Sequence, residues 1–270
     1  ADGEYMMIGS GMAERYHQRF FNMVELPEGT TFEVATNRIA GYNVAGPKSR
    51  DLLQRLTNAD LSNEAFRFMR SRTIDVAGVT CLALRVSFTG DLGWELHHPI
   101  EYQNHIFDAL VKAGEEFGLG MCGMRAMDSL RMEKNYRMWG QDLTREYTVF
   151  EAGLERFVHL DKGDFIGRDA LIAQKEAGVP QQFVALEVHG IKDADPIGNE
   201  PLMDRDGNMV GRATAGAYGH WTGKSLAQGY VKTGVGDVGT SLVIDILGEK
   251  YQATVIEESA YDPENTSLRA

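Results

Sequence analysis

The spacing of apolar positions along the chain shifts from mixed to alternating near Pro180. In residues 9–24, Ala13, Tyr16, Phe20 and Val24 share one helical face, entered through Gly9-Ser10-Gly11 with Ser10 as a candidate cap. Ahead of them, Tyr5-Met6-Met7-Ile8 reads as a strand, and Thr31–Ala35 and Ile39–Val44 read as two more. Pro47 opens a helix with Leu52, Leu53 and Leu56 as its buried stripe. Thr73–Val76 and Val79–Phe88 predict strands around Gly78, with Leu82, Leu84 and Val86 facing one way and Ala83, Arg85 and Ser87 the other. Thr89-Gly90-Asp91-Leu92-Gly93 is a tight turn into the strand Trp94–His98, which Pro99 ends.

Two helices follow. In about 101–117, Ile106, Leu110, Ala113 and Phe117 form one stripe. In about 124–138, the polar residues Asp128, Arg131, Glu133, Lys134 and Arg137 fit either a solvated face or an ion-pair network, and Glu133 and Arg137 are spaced for a pair one turn apart. Residues 151–178 predict a strand, a loop at Lys162-Gly163-Asp164 and a helix from Gly167. From Gln181 on, short alternating stretches are joined by hairpin turns at 204–208 and 247–250. Five or so strands in this span predict a small antiparallel β-barrel or sandwich. The expected class is α+β, with one portion at 1–178 and a β unit at 179–270.

Composition narrows the function. The formal net charge of −12, with no concentrated basic patch, argues against nucleic acid as a partner. No apolar run is long enough to span a bilayer, so no membrane association is expected. Cys81 and Cys122 lie outside any CxxC motif and are expected to be buried reduced thiols. The histidines lack metal-binding spacing, and adjacent His97 and His98 point to opposite faces of a strand, so no metal is expected. The expected location is a reducing compartment: the cytoplasm, or the mitochondrial matrix if the source is eukaryotic. Gly-x-Ser-x-Gly, HExxH and Walker sequences are absent. The start at Ala1, with a strand-like stretch almost at once, fits a chain cut from something larger, and equally a processed terminus.

The candidate chemistry lies in the hairpin before Pro99. Alternation puts Glu95 opposite the Trp94 and Leu96 face, beside a glycine turn. A carboxylate so placed can accept two N–H donors from a planar heterocycle, or it is an exposed strand glutamate. Tyr136 and Trp139 either stack on a flat ligand or belong to the core.

The blocks SFTGDLGWELHHP (87–99), GMRAMDSLRMEKNYRMWGQDL (123–143), EAGLERFV (151–158), DFIGRDAL (164–171), GNEPLMDRDGNMVGRATAGAYGHWTGKSLAQGYV (198–231) and GEKYQATVIEE (248–258) occur in this order. Together they resemble the C-terminal folate domain of dimethylglycine and sarcosine dehydrogenases, within the aminomethyltransferase (glycine cleavage T-protein) family. The resemblance covers essentially the whole chain. It implies an aminomethyltransferase-like folate-binding fold, incomplete at its N-terminus, and tetrahydrofolate as cofactor. It also implies FAD in an associated domain or subunit. The implied reaction captures the one-carbon unit of an N-methylated amine and gives 5,10-methylenetetrahydrofolate. Glu95 would bind the pterin edge. Phe88 stands where the family has a folate-contacting tyrosine, Tyr136 falls near another, and Met7 matches a strand residue lying against the pterin. The family's catalytic aspartate would lie upstream of Tyr5. Met127 replaces a T-protein arginine and Arg156 a T-protein tryptophan, which points away from a glycine-cleavage enzyme proper. The alternatives are a non-catalytic folate-binding or scaffold relative, and a folate-dependent demethylase with a sulfonium or other methyl donor.

Overall fold

The computed structural model describes all residues except Ala1, Asp2 and Lys192, and the Met12 side chain. Its first layer is a four-stranded antiparallel sheet built from β1 (Ile39–Ala45), β2 (Ser71–Val76), β3 (Val79–Leu84) and β4 (Gly93–Pro99), in the order β1-β4-β3-β2. Alternation buries one face of this sheet through Val44, Ile74, Val76, Cys81, Ala83, Trp94 and Leu96. Leu52 and Leu53 of α2 (Ser49–Gln54) and Ile106 and Leu110 of α3 (Gln103–Gly114) cover it. Pro47 lies just ahead of α2 rather than inside it.

The opposite face of the sheet carries Glu95 and His97. In register, Asn43 and Leu84 flank Glu95, and Gly41 and Leu82 flank His97. Asn43 and Gly41 are exposed, so this face is open toward β1.

The C-terminal part is a closed barrel. Strands β5 (Gln181–Val188), β6 (Pro201–Met203), β7 (Met209–Gly219), β8 (Lys224–Lys232), β9 (Ser241–Ile246) and β10 (Glu249–Ile256) close in the order β10-β5-β8-β7-β6-β9. The choice left open by the alternating pattern is therefore a barrel. Its interior is filled by residues such as Leu186, Leu202, Val231, Leu242 and Ile244. Asp204 shapes the first predicted hairpin by accepting the N–H groups of Asp206 and Asn208, both at 2.9 Å. Two further helices are α4 (Met124–Glu133), which packs on β7, and α5 (Arg168–Ala177).

Several expectations fail for local reasons. Helix 9–24 shrinks to a short 3-10 turn and α1 (Glu14–Phe21), which buries none of its residues, and Ser10 does not cap it. Tyr16 and Phe20 pack on each other at 4.9 Å instead of on a core. Tyr5–Ile8 and Thr31–Ala35 are not strands; among the described residues no strand pairs with them, and Tyr5 is 93% exposed. The strand from Val79 ends at Leu84 rather than Phe88. The 124–138 helix stops at Glu133 because Asn135 turns left-handed at φ 55°, so Glu133 and Arg137 do not pair. Arg137 instead meets Glu258 at 2.6 Å. Residues 151–158 form turns and a 3-10 helix, not a strand.

The polar residues of α4 form a network rather than a solvated face. Arg131 donates to Asp142 at 2.6 Å, to Gln228 at 3.0 Å and to the Tyr136 carbonyl at 3.0 Å. Asp142 also accepts the Met138 N–H at 2.8 Å and the Thr214 hydroxyl. Arg131 and Asp142 are both buried. The two thiols also part company: Cys81 is buried as expected, while Cys122 is exposed in the loop before α4. Among the described residues no helix is long and apolar enough to cross a membrane.

Two outcomes follow. Asp142→Ala strands a buried guanidinium and should cost about 3–5 kcal/mol, read as a drop in the urea midpoint with unchanged slope. Burial pushes the Cys81 thiol up to about 11, so iodoacetamide at neutral pH should label Cys122 in the folded protein and reach Cys81 only after denaturation, as peptide mass analysis will show.

Candidate functional site

The loop from Val86 to Leu92 carries the sheet from β3 into β4 and so sets where Glu95 begins. It turns at Gly90, whose φ is 86°. A Cβ at this position would overlap the aliphatic stem of Lys134. Gly93 is confined differently: a Cβ there would lie 3.0 Å from the Val44 carbonyl and 3.2 Å from the Ser87 Cβ. The chain thus passes close to its neighbours at both glycines.

Past this turn, Glu95 is partly accessible, with its side chain 28% exposed. One carboxylate oxygen lies 3.2 Å from His97 Nε2, two residues on and on the same face. Gly41 on β1 makes room for that imidazole, since a Cβ there would sit 3.2 Å from His97 Nδ1. A carboxylate has lone pairs for about four hydrogen bonds, so one histidine leaves acceptor capacity toward the open face.

The structure brings Phe88 and Tyr136 together. Their rings lie 6.0 Å apart at 23°, a stacked arrangement at the junction of the turn and the end of α4. Burial holds the Tyr136 hydroxyl above its ordinary pKa, partly offset by the positive charge of Arg156. Trp139 is 42% exposed and packs against His17 of α1 at 5.3 Å. Met7 is not brought to this locus by any sheet pairing; it lies on the exposed N-terminal arm.

Sequence reasoning missed three residues around the locus. His97 entered only as a failed metal ligand, although its i,i+2 spacing from Glu95 on a strand signals a shared face. Asn43 stands across from Glu95, which only the strand pairing reveals. Lys134 was one of several charges on a helix, and nothing in its sequence neighbourhood points to Gly90, 44 positions earlier.

Two clefts lie elsewhere. One of about 680 Å³ is lined by Phe150, Arg156, His159 and Lys175 among others. Another of about 470 Å³ lies between the 140–147 loop and residues 197–199 and 212–214 of the barrel. Neither is lined by Glu95, Phe88, Tyr136 or Met7. The open sheet face carries Glu95 and His97, the Phe88 and Tyr136 pair lies at the turn before β4, and the clefts carry mixed charges at the surface.

Residues 1–162 match the GCVT N-terminal domain, and residues 181–262 match the glycine cleavage T-protein C-terminal barrel domain. The chain belongs to the glycine cleavage T-protein family. Within that family it is 37% identical over 270 residues to the mitochondrial dimethylglycine dehydrogenase of Homo sapiens, covering 99% of this chain and 31% of that protein. It is 32% identical over 277 residues to the mitochondrial sarcosine dehydrogenase of Mus musculus, covering 99% of this chain and 30% of the relative. The aminomethyltransferase of Caldanaerobacter subterraneus subsp. tengcongensis is 31% identical over 229 residues, covering 85% of this chain and 60% of that protein. The chain therefore spans about a third of the length of the dehydrogenase relatives. The crystal structure of glycine cleavage system aminomethyltransferase T from Bartonella henselae matches with a TM-score of 0.73 at 23% identity, over 83% of this chain and 60% of that one. That likeness speaks for the T-protein fold alone.

The close approach at Gly90 is testable by itself. Gly90→Ala should cost about 1–3 kcal/mol through the clash with the Lys134 stem and the left-handed backbone, visible as a lower thermal midpoint.

Proposed function

We propose that this chain is the tetrahydrofolate-binding portion of a flavin-linked demethylase that acts on an N-methylated amino acid such as dimethylglycine or sarcosine. The observation that carries the proposal is the end-to-end match of this chain to a mitochondrial dimethylglycine dehydrogenase, with Glu95 on the open face of the sheet. In this reading residues 1–178 are the folate portion and 179–270 the barrel unit. The oxidation belongs to a flavin domain or subunit outside this chain. A matrix location fits the mammalian dehydrogenases, which are mitochondrial.

The residues present fit a pterin. Glu95 has acceptor capacity beyond its contact with His97, and a reduced pterin edge offers adjacent N–H donors. The stacked Phe88 and Tyr136 rings supply flat apolar surface close to the same turn. Phe88 keeps the ring of the tyrosine it replaces and lacks its hydroxyl. Tetrahydrofolate, when bound, supplies the amine that captures the one-carbon unit, so that the product is 5,10-methylenetetrahydrofolate. Glu95 holds the pterin edge and fixes its orientation, His97 buttresses the carboxylate, and Tyr136 presents its phenol hydroxyl. Met7, 60% exposed on the N-terminal arm, would lie against the pterin through its backbone.

A carboxylate hydrogen bond to a ligand is worth roughly 1.5–3 kcal/mol, so Glu95→Gln should weaken tetrahydrofolate binding about ten- to a hundredfold. Titration calorimetry on the intact protein reads this, with circular dichroism confirming that the variant is folded. Equal affinities in the two proteins would leave Glu95 an ordinary strand glutamate and remove the residue-level support for this reading.

A further inference from the structure

After β10 the chain leaves the barrel and returns to the four-stranded sheet, ending in α6 (Thr266–Arg269) with Leu268 buried. Its polar contacts on the way fall on two places, the turn before β4 and the end of α4. Tyr261 donates its hydroxyl to Asp91 at 2.8 Å and its N–H to the Glu133 carbonyl at 2.9 Å. Lys134 directs Nζ to the Asp262 carbonyl at 2.7 Å, Asn265 Oδ1 at 2.9 Å and the Tyr261 carbonyl at 3.3 Å. The Asp262 carboxylate accepts the N–H groups of Thr266, Ser267 and Leu268 and so organises α6. Farther along, Arg50 and Arg85 both donate to the Ala270 carbonyl, each at 2.7 Å.

Lys134 is the centre of this arrangement. Its side chain is 2% exposed, and its stem fills the space beside Gly90. A buried ammonium is costly unless its hydrogens are all satisfied. Here three acceptors do so, and all three come from the five residues Tyr261–Asn265. The turn therefore cannot shift without moving the lysine stem, and the lysine cannot move without breaking the tail's contacts. The groups facing Nζ from the packed elements are Asp262 at 4.0 Å on the tail and Asp91 on the turn, both acidic.

We propose that Lys134 is a positioning residue that locks the 257–270 tail onto the Thr89–Gly93 turn and thereby fixes the start of β4 and the Glu95 carboxylate. The functional half rests on the reading of Glu95 given above, while the mechanical coupling stands apart from it. The test uses hydrogen-exchange mass spectrometry and tetrahydrofolate titration on the intact protein, in two variants. Lys134→Met keeps a stem beside Gly90 and loses all three donors. Tyr261→Phe removes only the hydroxyl contact to Asp91 and serves if the first variant does not fold. Expected for Lys134→Met is exchange faster by about tenfold or more in both 86–96 and 258–270, with barrel peptides unchanged. Its tetrahydrofolate dissociation constant should rise about tenfold, and Tyr261→Phe should show the same pattern more weakly. Faster exchange in the tail alone, with 86–96 as in the wild type, would overturn the coupling. Loosening of both segments with unchanged tetrahydrofolate affinity, in a protein whose Glu95→Gln variant does bind more weakly, would overturn the positioning of Glu95. A wild-type protein that takes no tetrahydrofolate would sink the Glu95 reading instead, and the exchange pattern would still decide the coupling.

Discussion

The buried pair between Arg131 and Asp142 is the constraint on which the rest of the structure hangs. A guanidinium and a carboxylate in the interior are tolerated only when the geometry is good and the leftover donors and acceptors are also met. Here Arg131 on α4 reaches Asp142, Gln228 of β8 and the Tyr136 carbonyl, while Asp142 takes the Thr214 hydroxyl from β7. Tyr230 of β8 adds a hydroxyl to the Asp142 carbonyl at 2.9 Å, and Gln228 passes on to Asn135 at 2.8 Å. One helix end, one loop and two barrel strands thus converge on a single charge pair. Hydrophobic contact between α4 and β7 would allow the helix to slide or rotate, but satisfied directional bonds do not.

That fixed helix end then serves the sheet side of the molecule. Glu133 accepts the backbone N–H groups of Trp221 and Thr222 at the tip of the β7–β8 hairpin, at 3.0 and 2.7 Å. The next residue, Lys134, lies against Gly90 and reaches the tail. Tyr136 follows, stacked on Phe88. Within four residues the chain passes from a barrel contact to the proposed ligand locus. The acidic surface implied by a net charge of −12 thus coexists with buried cations at Arg85, Arg131 and Lys134, each held by carbonyls or carboxylates.

The sheet that carries Glu95 shows the same division between its faces. Its buried side is conventional apolar packing around Trp94, with the guanidiniums of Arg50 and Arg85 lying over the indole at 5.7 and 5.5 Å. Its other side carries Glu95 and His97 and is bordered at β1 by exposed Asn43 and Gly41. Glu95 and His97 share this face with half-buried Leu82 and Leu84 of β3.

The sequence by itself determined the elements whose signals are local. Alternation marked β4 and the barrel strands flanking the two hairpin turns, though the pattern predicts five or so strands and six form; the apolar stripes marked α2 and α3, because each depends on neighbours within a few residues. The collinear blocks likewise marked the family, and alternation placed Glu95 opposite Trp94. Tertiary structure alone decided what the polar helix does. In sequence Arg131, Glu133 and Lys134 fit a solvated face or an ion-pair network equally, because their partners lie up to 131 positions away at Gln228, Trp221 and Asn265. It also shortened the N-terminal helix to α1, which buries none of its residues, and left Tyr5–Ile8 and Thr31–Ala35 outside any strand. Periodicity reports which residues share a face; whether that face is filled, and by what charge, depends on chain segments that a local pattern does not contain.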